Sequence, residues 1–308
     1  MSATSESAAV RPGENFDWRS KEITEILERA LAEDLGAGLP AEALAKAGDL
    51  TTDATVPEGL AATGSFLAKG ALVVAGLPLL ERLYQLLDPA IHFQPLAADG
   101  GLVARGALAE VRGDARVLLR AERTALNFLQ RLSGIATLTR RFVLRLEGTH
   151  ARLLDTRKTT PGLRVLERYA VRAGGGTNHR FGLYDAVLIK ENHAQLAGGV
   201  AEAVRRARAR YGSQKIEVEV RDDAEVRQGL EAGADVLLLD NMTPDDVRRA
   251  LRIIHGRAVV EVSGGITLEN IRDYAEAGVD FISVGALTHS APSVDISFDL
   301  QPAGKSEP

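Results

Sequence analysis

At 308 residues and 45% hydrophobic content, the chain can bury a substantial core in one large domain or two ordinary ones. A formal net charge of -5 argues against a general nucleic-acid binder, whose broad basic surface neutralises phosphates, and the lack of cysteine excludes disulfides, thiol nucleophiles and thiolate metal sites. No apolar run is long enough to span a bilayer, and the opening MSATSESAAVRPGENF lacks the basic and apolar regions of a signal peptide. The expectation is a cytoplasmic protein that engages neither membrane nor nucleic acid, with residues 1–16 as a frayed tail.

Ser20 can cap a helix through KEITEILERALAEDLG, where Ile23, Leu27, Ala30 and Leu31 recur at helical spacing and Gly36 ends the pattern. A short helix around AEALAKA is expected next, and then GDLTTDATVP reads as a loop. From Gly64 to about Arg116, the apolar runs SFLAKG, ALVVAG, IHFQPL and ALAEVRG read as strands, interrupted by a helix at LPLLERLYQLLD. This grouping fits a mixed α+β domain. RAERTALNFLQRLSGIATLTRRFVLRLEG reads as a long helical segment, broken or bent near Ser133 and Gly134, that connects two domains.

From Ala151 the rhythm changes. The segments RLLD, AVLIK, IEVEV, VLLLD, VVEV and FISVG alternate with helical stretches, which implies parallel strands. EAGADVLLLDN and EAGVDFISVGA form a faint internal repeat. A closed or nearly closed β/α barrel explains this better than a dinucleotide-binding sheet, because no GxGxxG follows the first strand.

Barrel geometry places function at the carboxyl ends of the strands. Those ends carry Asp155, Arg157 and Lys158, then Lys190, Glu219, Asp240, Ser263-Gly264-Gly265 and Val284-Gly285-Ala286. The two glycine turns follow the last two strands, where barrels bind phosphate through backbone N–H groups. Residues 155–193 concentrate positive charge, with seven Lys or Arg against four acids. Several of these sit beside turn formers, Arg157 and Lys158 before TTPG and His179 and Arg180 after GGGTN. Planar Arg matches carboxylate and phosphate oxygens two at a time, so this stretch reads as a pocket for a multiply anionic small molecule.

Each residue also has a plainer reading. Glu219 and Asp240 end apolar runs and serve either metal or hydroxyl chemistry or a structural pairing with Lys190. Carboxylates facing a phosphate-rich ligand reach it through a hard cation, which points to Mg²⁺. The six His are dispersed without ligand spacing, which argues against a permanent zinc site. Gly174, Gly175 and Gly176 permit close approach to a ligand or a flexible connection; His193 caps a helix or lines the rim. Arg123 reads as a surface salt-bridge residue, and Arg168 and Arg172 as solvated charges.

DTRKTTPGLR, GGGTNHRFGLYDAVLIKENH, IEVEV, LLDNM, SGGI and VGALTHS, with the earlier EDLG, GDLTT and ERTALNFLQRLSGIAT, occur in the order found in one enzyme family. Over residues 20–300 the chain resembles the quinolinate phosphoribosyltransferases, also called carboxylating nicotinate-nucleotide pyrophosphorylases. The long central string is specific, whereas SGGI alone is shared by many phosphate-binding barrels.

The resemblance implies an α/β protein with an N-terminal α+β domain and a C-terminal incomplete, open β/α barrel. The division expected is a tail at 1–16, the α+β domain at 17–130, the barrel at 131–290, and a segment 291–308 returning to the N-terminal domain. It also implies a homodimer whose active site is shared between subunits, with Arg123 donated across the interface. Thr156, Arg157, His179, Arg180 and Lys190 match the substrate pocket for the quinolinate carboxylates and neighbouring phosphates, with Lys158 beside the diphosphate. Glu219 and Asp240 match acids near the ribose and Mg²⁺, whether contacting the metal directly or indirectly, and act with Lys158 and Lys190 in catalysis. Ser263, Gly264, Gly265, Val284, Gly285 and Ala286 match the 5-phosphate cradle. Departures are the wide spacing over 37–47, Arg168 where Lys is common, and Val262 before SGG.

The activity implied is decarboxylating phosphoribosyl transfer from phosphoribosyl pyrophosphate to quinolinate in NAD biosynthesis. Two alternatives share the architecture: a pyrophosphorylase-like protein associated with molybdenum transport, and a non-catalytic sensor of phosphoribosyl ligands.

Overall fold

The structure, a computed structural model, describes residues 16–36 and 48–303; the helix expected at AEALAKA, the tail at 1–15 and the wide spacing over 37–47 lie outside them. The first strands are β1 (Ala61–Ala68), β2 (Leu72–Val73), β3 (His92–Pro95), β4 (Leu102–Val103) and β5 (Gly106–Asp114). They are followed by β6 (Arg152–Leu154), β7 (Val187–Ile189), β8 (Ile216–Val220), β9 (Val236–Asp240), β10 (Val259–Ser263), β11 (Phe281–Ser283) and β12 (Ile296–Pro302).

Two compact units divide the chain. One takes the described residues up to Thr137, residues 161–175 and those from Ala291 on; the other takes 138–160 and 176–290. Residues 161–175 therefore fall outside the barrel unit, although a single cut at residue 130 would have kept them in it. The reason is local. On helix Arg164–Ala173, the fully buried Glu167 accepts two hydrogen bonds from Arg131, at 2.9 and 3.2 Å, and the Tyr169 hydroxyl donates to Asp99 at 2.7 Å. Arg172, expected as a solvated charge, lies over the rings of Phe16 and Tyr169 at 5.7 and 5.8 Å, a cation–π arrangement.

In the first unit, helix Lys21–Leu35 begins where the Ser20 hydroxyl accepts from the Ile23 N–H, buries Ile23, Leu27, Leu31 and Leu35, and stops at Gly36 with φ 116°. GDLTTDATVP is a helix rather than a loop: the Asp49 carboxylate accepts from both the N–H and the hydroxyl of Thr52, which caps helix Leu50–Thr55. The sheet has the order β12-β1-β5-β3 and is antiparallel throughout. Side chains along β1 alternate in burial, as a strand with one covered face requires.

The long helix, Ala115–Arg145, runs unbroken through Ser133 and Gly134. Those residues serve contact, not a bend. The Ala75 N–H donates to the Ser133 hydroxyl at 3.1 Å, the Val73 N–H donates to Thr137 Oγ1 at 2.8 Å, and a Cβ on Gly134 would run into the Pro292 carbonyl.

In the second unit all six expected strands form one parallel sheet of order β6-β11-β10-β9-β8-β7. The edge strands β6 and β7 do not pair with each other, so the sheet is an open barrel; Leu154 at the end of β6 makes a single parallel bridge to Thr177. Glu219 on β8, Leu238 on β9 and Glu261 on β10 are in register. Strand alternation therefore gives one face Glu217, Glu219, Leu238, Asp240, Glu261 and Ser263. No helix among the described residues is long and apolar enough to cross a membrane.

Candidate active site

The carboxyl ends of these strands surround a cleft of about 500 Å³. It is lined by Thr156, Arg157, Lys158, His179, Arg180, Lys190, Asp240, Ser263, Gly264 and Gly265 from the expected set, together with Leu188, Leu238, Asn241, Glu261 and Ser283. Another depression, of about 520 Å³, lies over helices Glu191–Ala197 and Asp223–Glu231, where Arg221 is taken up by Glu225 and Glu191. Basic groups converge only in the first of these two.

Asp155 organises the basic residues. Its side chain is fully buried just beyond β6 and accepts from the His179 N–H at 2.7 Å and from Asn178 Nδ2 at 2.6 Å. The carboxylate thereby ties the segment carrying His179 and Arg180 to the strand end carrying Arg157 and Lys158. Farther along, Asp185 accepts from the Phe181 and Gly182 N–H groups, and Arg180 donates to the Ala186 carbonyl at 2.9 Å. Burial and the neighbouring Arg157 charge lower the Arg180 pKa, so an anion between the two guanidiniums relieves a repulsion.

Lys190 Nζ donates to Glu219 Oε2 at 2.8 Å, with the Glu219 side chain almost wholly buried. Asp240, at the end of the next strand, accepts from Asn241 Nδ2 at 2.7 Å, and burial together with the Glu219 charge raises its pKa. The Glu219 charge thus disfavours that of Asp240, an arrangement that a cation or a cationic transition state stabilises. The carboxylates of Glu219 and Asp240 are hard oxygen donors of the kind magnesium takes.

Gly264 has φ 92°, and a Cβ there would collide with the Asn241 side chain; Gly265 has φ 63° and open space beside it. Gly285 comes close to Lys158, whose carbonyl accepts from the Thr288 hydroxyl at 2.8 Å, so the Val284-Gly285-Ala286 turn adjoins the Lys158 segment. Arg123 is exposed on helix Ala115–Arg145 and belongs to the other unit. His193 accepts from the Lys190 N–H at 3.0 Å, which settles it as a helix-capping residue.

Sequence reasoning missed Glu217 and Glu261. His179 Nε2 lies 3.3 Å from Glu217 Oε2 and 3.7 Å from Glu261 Oε2, while its Nδ1 accepts from the Arg180 N–H at 2.7 Å. Burial opposes charge on His179, but the Glu217 hydrogen bond and the charges of Glu261, Glu217 and Asp155 outweigh it and raise its pKa. The signal was present: acids at alternate positions of IEVEV and VVEVS point the same way as Glu219.

An open β/α barrel that gathers basic side chains and glycine turns at its strand ends has the architecture of the phosphate-binding barrel class. Residues 49–133 match the family described as quinolinate phosphoribosyl transferase, N-terminal domain, and residues 135–299 match its C-terminal domain. The chain belongs to the quinolinate phosphoribosyltransferase family. It is 42% identical to a probable carboxylating nicotinate-nucleotide pyrophosphorylase of Bacillus subtilis, across 91% of this chain and 93% of that one. A protein of the same description from Methanocaldococcus jannaschii is 43% identical over 89% and 96% of the two chains. Among solved structures, the nicotinate-nucleotide pyrophosphorylase of Francisella tularensis superimposes with a TM-score of 0.82 at 38% identity, covering 91% of this chain and 96% of that one.

Proposed function

We infer that this chain catalyses the reaction of its family: quinolinate and phosphoribosyl pyrophosphate give nicotinate mononucleotide, pyrophosphate and carbon dioxide, a step of NAD biosynthesis. The observation that carries the site assignment is the convergence of Arg157, Lys158, Arg180 and Lys190 with Asp240 and the Ser263–Gly265 turn in one cleft.

The pyridine nitrogen attacks the anomeric carbon as the bond to pyrophosphate breaks, so positive charge develops on the ribose. Positioned charge serves this better than a protein nucleophile. Arg157, Arg180 and Lys190 hold the quinolinate carboxylates with His179 beside them, and Lys158 with Thr156 lies beside the diphosphate. Asp240 and the Lys190-paired Glu219 stabilise the cationic ribose. The N–H groups of Gly264, Gly265 and the 284–286 turn cradle the 5-phosphate. Asp240 and Glu219 would hold a magnesium ion, directly or indirectly, and that ion would supply charge neutralisation at the leaving group. Quaternising the ring nitrogen then stabilises the electron pair left when the adjacent carboxylate departs as carbon dioxide.

We further read the enzyme as a cytoplasmic homodimer in which the exposed Arg123 of one copy completes the cleft of the other. Arg157→Ala tests the site: it should lose about a hundredfold or more of turnover while the melting temperature stays within a degree or two. Near-normal quinolinate kinetics in that variant would move the anion site elsewhere.

A further inference from the structure

We propose that Glu261 is the proton donor that quenches the ring carbanion left by decarboxylation, with Glu217 beside it keeping that proton in place. This rests on the family reaction proposed above, and it adds a catalytic group to the site.

The argument is a count of donors. Arg180 donates its backbone N–H to His179 Nδ1, so the ring proton sits on Nε2. That single N–H faces two carboxylates, Glu217 at 3.3 Å and Glu261 at 3.7 Å. The Oε1 atoms of both are buried and have no hydrogen-bond partner. Glu261 is only 3% exposed, and its one further donor is the Ser283 hydroxyl. With so few donors between the buried Glu261 and the largely covered Glu217, charge on both is disfavoured, and one proton stays with the pair.

Position assigns that proton to Glu261. Its side chain is less exposed than that of Glu217, 4% against 12%, and Glu261 lines the cleft. The groups facing it are Glu217 from β8, His179 from the segment after β6, Ser283 from β11 and Lys190 at the end of β7, with apolar Leu238 of β9 in register beside it. Burial and the Glu217 charge push Glu261 up to about 7, so the proton is held at neutral pH yet can be given up. The same three side chains have spacing suited to a metal ion, but a proton on Nε2 and the nearby Arg157 and Arg180 charges disfavour a cation there.

The step balances. The bond between ring carbon C2 and its carboxylate breaks, carbon dioxide leaves, and the electron pair stays on C2 beside the quaternised nitrogen. The Glu261 O–H bond breaks as a C–H bond forms at C2, and the Glu261 carboxylate regains a proton from water after product release.

Glu261→Gln keeps the shape and removes the acid. In single turnovers with quinolinate and phosphoribosyl pyrophosphate, we expect pyrophosphate release near the wild-type rate, carbon dioxide release slowed on the order of a hundredfold, and still-carboxylated mononucleotide accumulating. Glu261→Asp should recover part of the rate. In the wild type, carbon dioxide release should fall as pH rises through about 7. This profile stands as a test even if the Gln variant does not fold. Wild-type carbon dioxide release in Glu261→Gln, or a flat wild-type profile, overturns the proposal. A wild-type enzyme that releases no pyrophosphate at all would instead overturn the underlying reaction.

Discussion

Lys190 and Glu219 meet across the carboxyl ends of β7 and β8, with Nζ 2.8 Å from Oε2, one partner half exposed and the other buried. Removing the lysine strands a buried carboxylate, whereas replacing both leaves no charge to strand. Lys190→Met should therefore cost about 1–2 kcal/mol, discounted because the lysine is half exposed. Lys190→Met with Glu219→Gln should recover much of that stability and none of the activity. Chemical denaturation beside steady-state kinetics checks this, and a double variant no more stable than the single one would contradict it.

A second buried pair acts on stability. Arg131 grips the fully buried Glu167 through Nε and Nη2. Arg131→Met should cost about 2–3 kcal/mol, because the carboxylate loses both of those donors. Glu167→Gln should cost less, since the amide keeps an acceptor. Equal melting temperatures for the two variants would argue against this ranking.

Gly134→Ala reverses the usual sign. In an exposed helix interior, Ala in place of Gly stabilises by about 1 kcal/mol. Here the new methyl meets the Pro292 carbonyl, so a loss of roughly 2 kcal/mol is expected by denaturant titration. A stabilised variant would mean that the 292 segment yields.

Glu261 makes stability depend on pH. Its folded-state pKa is raised to about 7 by burial and by Glu217, so between the ordinary glutamate range and neutrality the folded state binds the extra proton. Wild-type stability should then decline as pH rises through that window, while Glu261→Gln lacks this loss. The melting temperature of the variant relative to wild type should climb from about pH 5 to about pH 8, corresponding to about 2 kcal/mol. A constant difference would contradict the shift.

The strands of the open barrel were legible because VLLLD, IEVEV and VVEV are short runs rich in Val, Ile and Leu between helical stretches, a pattern set by parallel strands covered on both faces. The Ser20 cap and Gly36 stop were legible because capping is local. Ser133 and Gly134 were misread because a small residue signals a bend or a close approach equally well, and only the Pro292 backbone decides between them. GDLTTDATVP was misread because Asp49 caps a helix with the same group that would stabilise a turn. Arg157, Lys158, His179 and Arg180 were found as charges beside turn formers, but the buried Asp155 contact that joins their segments is nonlocal. Glu217 and Glu261 were less legible because each sits two residues before a strand-end position, inside the barrel, where no turn former marks it.

The most direct test of the assigned activity is product analysis of the purified chain supplied with phosphoribosyl pyrophosphate, Mg²⁺ and either quinolinate or nicotinate. Pyrophosphate, carbon dioxide and nicotinate mononucleotide should form in equal amounts from quinolinate, with none from nicotinate. A folded protein that binds phosphoribosyl pyrophosphate but releases no pyrophosphate with quinolinate would contradict the assignment and leave a ligand-sensing barrel in its place.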